Sequence, residues 1–155
     1  MNLDQPISAM RAVVHLAPPV LAAADGIARI AAAIAAAPEA GVAFVVDEDT
    51  HLVGVVTRKD LDMQLLALAL PKIAARRVDL AVQKEVWGWA HGVDATAANL
   101  MVGIAVASVD DPLSKAIERA IADGRDVVPV VDRDARLLGY ISVFEVLAAQ
   151  LEPET

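Results

Sequence analysis

Two stretches of the chain place a hydroxyl three residues ahead of a carboxylate: Thr57 before Asp60, and Ser142 before Glu145. This spacing is a capping-box pattern, in which the hydroxyl accepts from the third backbone N–H of a helix while the acid reaches back to the cap N–H. A helix N-terminus also carries free N–H groups and a partial positive charge, and so attracts phosphate. From the residues alone both roles stay open, and they are compatible. Arg58, beside Thr57, either adds charge to a bound phosphate or is a solvated surface arginine.

Other chemistries find little support. His15, His51 and His91 are far apart in sequence, whereas a zinc site needs three or four converging ligands, so no metal site is expected. There is no cysteine, hence no thiolate ligand, disulfide frame or thiol nucleophile. No serine sits in a G-x-S-x-G elbow, and GVVTRKD lacks the glycine-rich arrangement of a P-loop. No catalytic residues, and no enzyme, are expected. Lys and Arg total 13 against 21 Asp and Glu, a net charge of −8 that repels a polyphosphate backbone and disfavours nucleic acid as a partner. The mean hydropathy of +0.51 calls for a membrane check. The most apolar stretch, Ile27 to Val46, is broken by Arg29, Pro38, Glu39 and Gly41, while a span needs about 20 predominantly apolar residues. No membrane segment is expected. Asp4 precedes any basic residue, unlike a secretory leader, and a cytoplasmic location follows as the simplest expectation.

The elements that must hold the two hydroxyl–acid pairs come in two copies. VAFVVDEDTHLVGVVTRKDLDMQLL, from Val42, and VVPVVDRDARLLGYISVFEVLAAQL, from Val127, align without a gap. Asp47/Asp132, Asp49/Asp134, Leu52/Leu137, Gly54/Gly139 and Leu66/Leu151 are identical in this register, and Thr57/Ser142 and Asp60/Glu145 are conservative pairs. Each β-branched run stops at an Asp-rich turn before a second apolar run, which predicts a β-hairpin. The apolar residues are continuous rather than alternating, which predicts burial on both faces. A helix should follow each hairpin, from Arg58 and from Val143. Upstream, Asp25 reads as the cap of a helix with an Ile27, Ile30, Ala31, Ile34 stripe, ended by Pro38. Asp111 reads as the N-cap of a second, with Pro112 at its first position, a Leu113, Ala116, Ile117, Ala120, Ile121 stripe, and an end at Gly124. Short apolar strands at Ala12–Leu16 and Gly103–Ala107 are expected to lead into these helices. Each copy thus reads strand, helix, strand, strand, helix, an α/β fold. Residues 71–100 read as an inserted helical segment carrying Trp87 and Trp89, with a bend or end near Gly88–Gly92. The expected division is therefore 1–70, 71–100 and 101–155.

Two copies of VVD, then LVG or LLG, then a hydroxyl and an acid three residues on, resemble the tandem CBS domain pair, or Bateman module. The resemblance implies two βαββα repeats packed through their sheets around a pseudo-two-fold axis, leaving two clefts. It also implies adenosine-containing ligands there: AMP, ADP, ATP or S-adenosylmethionine, acting as regulators rather than required cofactors. By this likeness Thr57 lies near the phosphate and Asp60 grips the ribose hydroxyls; Ser142 and Glu145 would serve the second cleft. Glu145 departs from the usual Asp and is one methylene longer. The expected function is a stand-alone regulatory module that signals by conformational change to an effector protein. The alternative is a structural or dimerisation module with empty clefts. A homodimer is expected, because Ala31–Ala33 and Ala35–Ala37 make a smooth helix face and Leu65, Leu66, Leu68 and Leu70 extend an apolar one. The resemblance implies the same, as a flat two-fold disc.

Overall fold

A computed structural model of the chain describes residues 1–74 and 95–151. Trp87, Trp89 and His91 lie outside the described residues. Two 3-10 turns, Ile7–Ala9 and Arg11–Val13, precede β1 (Val14–His15) and β2 (Val20–Ala22). Then come α1 (Ile27–Ala36), β3 (Val42–Val46), β4 (Leu52–Thr57) and α2 (Arg58–Ala74). After residue 95 follow α3 (Ala97–Leu100), β5 (Ala107–Ser108), α4 (Leu113–Ala122), β6 (Val127–Val131), β7 (Leu137–Ser142) and α5 (Val143–Leu151).

The two hairpins form as their pattern predicts, and their turns are built alike. Asp47 Oδ1 accepts the N–H groups of Asp49 and His51 at 2.9 Å each, and Asp132 Oδ1 accepts those of Asp134 and Arg136 at 2.8 and 3.0 Å. Those bonds, with that of the His51 N–H foremost, hold the Asp47 carboxyl below its ordinary range. The first strand of each hairpin is covered on two sides, whereas the second leaves Val53 and Leu138 exposed near its start. Ala43, Val45 and Val56 pack on Ile30, Ile34 and Leu61 of the helices. Val42, Phe44 and Val55 face the other repeat, where they meet Val127 and Tyr140. Phe44 and Tyr140 sit with ring centroids 5.7 Å apart. The axis between the repeats passes near the hairpin tips. There His51 bridges its counterpart Arg136, and the Leu137 N–H donates to the Thr50 carbonyl at 2.9 Å.

The leading strands differ from expectation. The strand that heads the first sheet is β2, parallel to β3, and not the segment around Ala12–Leu16. Val14 and His15 instead pair antiparallel with Ile141 and Tyr140 of β7, at the edge of the second sheet. Reciprocally, Val102 exchanges two backbone hydrogen bonds with Val55 of β4, at 2.8 and 2.9 Å, and the second-repeat strand shrinks to Ala107–Ser108. The reason lies in the cores. Ile7, with Leu3, Met10, Val13 and Val14, fills the second repeat's core, while Ala95, Ala97 and Leu100 fill the first's. Burying a side chain the size of Ile7 or Leu100 contributes about 1.5–3 kcal/mol. The units that pack are thus not contiguous in sequence.

The caps also correct the expected pattern. Asp111 is not the N-cap of α4; Pro112 holds that place, and its carbonyl accepts from Lys115 and Ala116. Gly26, not Asp25, caps α1. Both aspartates reach backward instead: Asp25 accepts the Ala22 N–H at 2.8 Å and Asp111 the Ser108 N–H at 3.0 Å, closing the strand-to-helix turns. Asp111 also takes Arg119 at 2.8 Å, and these partners lower its pKa, the Ser108 N–H most. Gly124 ends α4 as expected, at φ +66, with the Arg125 N–H on the Ala120 carbonyl and its own on that of Ile121, a Schellman closure.

The crossing segments explain the repeated glycine of each hairpin. A Cβ on Gly139 would collide with the His15 carbonyl oxygen and lie 2.9 Å from Val14 Cγ1. One on Gly54 would meet Met101 Sδ and the Val102 oxygen at 3.1 Å. In urea unfolding, Gly139→Ala is expected to cost more than about 2 kcal/mol, because the obstacle is backbone. Gly54→Ala should cost about half as much, since the Met101 side chain can yield.

Candidate functional site

Thr57 is the last residue of β4 and Asp60 lies in the first turn of α2, so the strand-to-helix junction brings them together. The Thr57 hydroxyl accepts the Asp60 N–H at 3.2 Å and donates to Asp60 Oδ2 at 2.9 Å. The acid therefore reaches back to the hydroxyl rather than to the cap N–H of a full capping box. Asp60 borders a cleft of about 190 Å³ that also involves Met63, Gln64, Asn99, Leu100 and Met101. One wall is α2 of the first repeat; the other is the segment leading into the second. Arg58 does not join them. It pairs with Asp62 at 3.8 Å, well exposed, on a groove formed with Ala31, Ile34 and Leu65 between α1 and α2.

Ser142 and Glu145 occupy the same junction between β7 and α5, with different partners. The Glu145 N–H lies 3.4 Å from Ser142 Oγ. The Glu145 carboxylate turns away from that hydroxyl to His15, with Oε2 2.7 Å from Nε2. The His15 ring lies flat on Tyr140, 4.7 Å between centroids and 9° between planes. Tyr140 Oη sits 3.5 Å from Glu39 Oε1. Burial pushes the Tyr140 phenol above its usual pKa, and the charges of Glu39 and Glu145 push it the same way. Sequence reasoning missed His15, Tyr140 and Glu39 as neighbours of this junction. The pairing of β1 with β7 joins residues 130 positions apart, and no local spacing announces it.

One further cluster assembles at the first hairpin turn, where ligand atoms of Asp47, Asp49 and His51 lie within 4.8 Å of one another. These groups serve the turn itself: His51 Nδ1 is 3.2 Å from Asp47 Oδ2. The same turn closes in the second copy with Arg136 in place of the histidine. Among the described residues, no helix is long and apolar enough to cross a membrane.

Two pseudo-symmetric α/β repeats, exchanging their leading segments and opening at helix N-termini, define a tandem-repeat module. The chain belongs to the CBS domain family, whose model matches residues 12–66 and 98–152. A comparison with curated proteins gives no match. Among solved structures, a CBS domain-containing protein from Thermotoga maritima is similar over 99% of this chain and 100% of its own, at 19% identity and a TM-score of 0.69. CBSX2, solved in complex with AMP, is 21% identical over 94% of this chain and 96% of its own, with a TM-score of 0.61. A CBS domain pair solved with 5′-methylthioadenosine and S-adenosyl-L-methionine is 18% identical, covering 94% and 95%, with a TM-score of 0.64.

The hydrogen bonds at the two junctions predict unequal stabilities. Thr57→Ala removes an acceptor for the Asp60 N–H and a donor to its carboxylate, and is expected to cost about 1 kcal/mol in thermal or urea unfolding. Ser142→Ala should cost less than about 0.5 kcal/mol, because a 3.4 Å contact is at the edge of hydrogen bonding.

Proposed function

We propose that the protein is a regulatory module that binds an adenosine ligand in the first cleft and passes the resulting change to an effector protein. AMP, ADP, ATP and S-adenosylmethionine are the candidate ligands. The observation that carries this reading is the Thr57–Asp60 pair at the start of α2, opening on a cleft whose far wall is the segment Asn99–Val102. A ligand seated there touches both the helix of one repeat and the segment that enters the other. It would bias how the two repeats sit, by as much as its affinity differs between arrangements. In this reading the N-terminus of α2 and the Thr57 hydroxyl face the phosphate, and Asp60 accepts from the ribose diol. Arg58, held by Asp62, would reach a phosphate only by leaving that pair. The bound adenosine compounds of the two structural relatives support the ligand class.

The test is calorimetric titration of AMP, ATP and S-adenosylmethionine into the full chain. At least one is expected to bind more tightly than about 1 mM. Asp60→Ala should weaken it at least tenfold, about 1.4 kcal/mol, with Glu145→Ala far milder. The absence of binding by all three would leave the second reading, a structural or dimerisation module.

The proposal includes a homodimer. Phe144, Leu147 and Leu151 form one face of α5 and are 77%, 45% and 86% exposed. At the matching places α2 carries Lys59, Asp62 and Leu66, so the apolar stripe belongs to the second repeat. Of the alanines expected on the smooth face, Ala33 and Ala37 are buried in the cores, while Ala32, Ala35 and Ala36 are exposed on α1. A self-complementary contact through such a face gives a two-fold pair, and an apolar stripe left in water favours it. A cytoplasmic location belongs to the same proposal, supported by the cysteine-free sequence. Light scattering on the eluted protein is expected to give twice 16.2 kDa. Phe144→Glu should return the mass to that of one chain with an unchanged circular dichroism spectrum.

A further inference from the structure

We infer that the second cleft is closed from within by His15, so that the chain takes one adenosine ligand and not two. The inference rests on the reading of the first cleft given above, and extends it by assigning a role to a residue outside both hydroxyl–acid pairs. To hold a nucleoside at Ser142 and Glu145, the second cleft would have to offer a free carboxylate for the ribose diol and open space beside it for the base. His15 uses both. Its Nε2 lies 2.7 Å from Glu145 Oε2, and its ring covers Tyr140 nearly in parallel at 4.7 Å. Tyr140 is 2% exposed, so its ring has no face left for a base.

His15 is also held in place by its backbone. It is the cross-strand partner of Tyr140, and its carbonyl lies directly over Gly139. The imidazole is a competitor built into the sheet, and a ligand would have to displace it. A site open only a fraction of the time binds with its affinity reduced by that fraction.

Among the described residues, the first cleft has no such device. The residue that crosses there, in the place of His15, is Val102, and it bonds to Val55 in the place of Tyr140. Neither side chain can donate a hydrogen bond. Asp60 keeps its own Thr57 hydroxyl as the partner of Oδ2, and among the described residues its cleft is open. The difference between the clefts thus comes down to the two residues opposed across the exchanged segment: valine on valine in one, histidine on tyrosine in the other.

Calorimetry of the full chain with AMP, ATP and S-adenosylmethionine, each in turn, tests this. The wild-type chain is expected to bind one equivalent. His15→Val, which gives the second cleft the crossing residue of the first and places a β-branched residue suited to a strand there, should bind two. Asp60→Ala should bind its equivalent at least tenfold more weakly, and Asp60→Ala combined with His15→Val should keep one tight equivalent. Two equivalents in the wild type, or one in a His15→Val protein of unchanged melting temperature, overturns the inference and leaves the first-cleft reading intact. A silent wild type with one equivalent in His15→Val overturns the first-cleft reading alone. Silence in both proteins overturns both. His15→Ala gives a second variant with the same expected outcomes. A ligand-free check comes from the ring protons of Tyr140, the single tyrosine of the chain. Their NMR shifts should move on His15→Val as the stacked imidazole is lost, and unchanged shifts overturn the inference.

Discussion

The structure depends on a reciprocal exchange of backbone between its two repeats. A hairpin with two helices leaves one edge unpaired and one end of its core open. Here each is completed by the segment that leads into the other repeat. Val14 and His15 pair with β7, and Val102 with β4. Behind them Ile7 closes one core and Ala95, Ala97 and Leu100 close the other. The close approach leaves no room for a side chain beneath the crossing strand at 139 and little at 54, which is why glycine stands at both. An unpaired strand edge is also a site for unwanted pairing, and the exchange covers one edge in each sheet.

The same crossing builds both candidate sites. Each hydroxyl–acid pair lies at a helix start in one repeat, and the chain that passes it belongs to the other. A ligand at such a place senses the junction of the repeats rather than either alone, which suits a module whose output is their relative arrangement. Because the crossing residues differ, pseudo-symmetry of the backbone does not carry over to the chemistry. Glu145 is tied to His15, whereas Asp60 is tied to its own helix start.

At the axis, the hairpin tips show what the pairing asks of the backbone. Thr50 and Ala135 both adopt left-handed φ angles, 65° and 62°, a conformation that costs an ordinary residue about 1–2 kcal/mol. The turn is held there by Asp47 and Asp132, each accepting two N–H groups. In return, the Thr50 carbonyl is presented to the Leu137 N–H of the other repeat. The acidic turn thus helps to dock the repeats as well as to reverse the chain.

The periodicity and repeat of the sequence determined the hairpins, the four long helices, the stripes of α1 and α4 apart from Ile121, which is 62% exposed, the glycine that ends α4 and the double burial of Val42–Val46 and Val127–Val131. These are local consequences of side-chain type and spacing, since β-branched runs, Asp turns and 3–4 stripes act within a few residues. The junctions Thr57–Asp60 and Ser142–Glu145 were legible for the same reason. Tertiary structure alone decided which sheet takes the segment around Val14, because a short apolar run can pair with any open edge and only the geometry of both cores selects one. It also decided that Asp25 and Asp111 bond backward to the strand instead of capping the helix, where two acceptor directions compete. Above all it decided what His15 does: a lone histidine carries no spacing signal, and its meeting with Tyr140 and Glu145 exists only once β1 has crossed to β7.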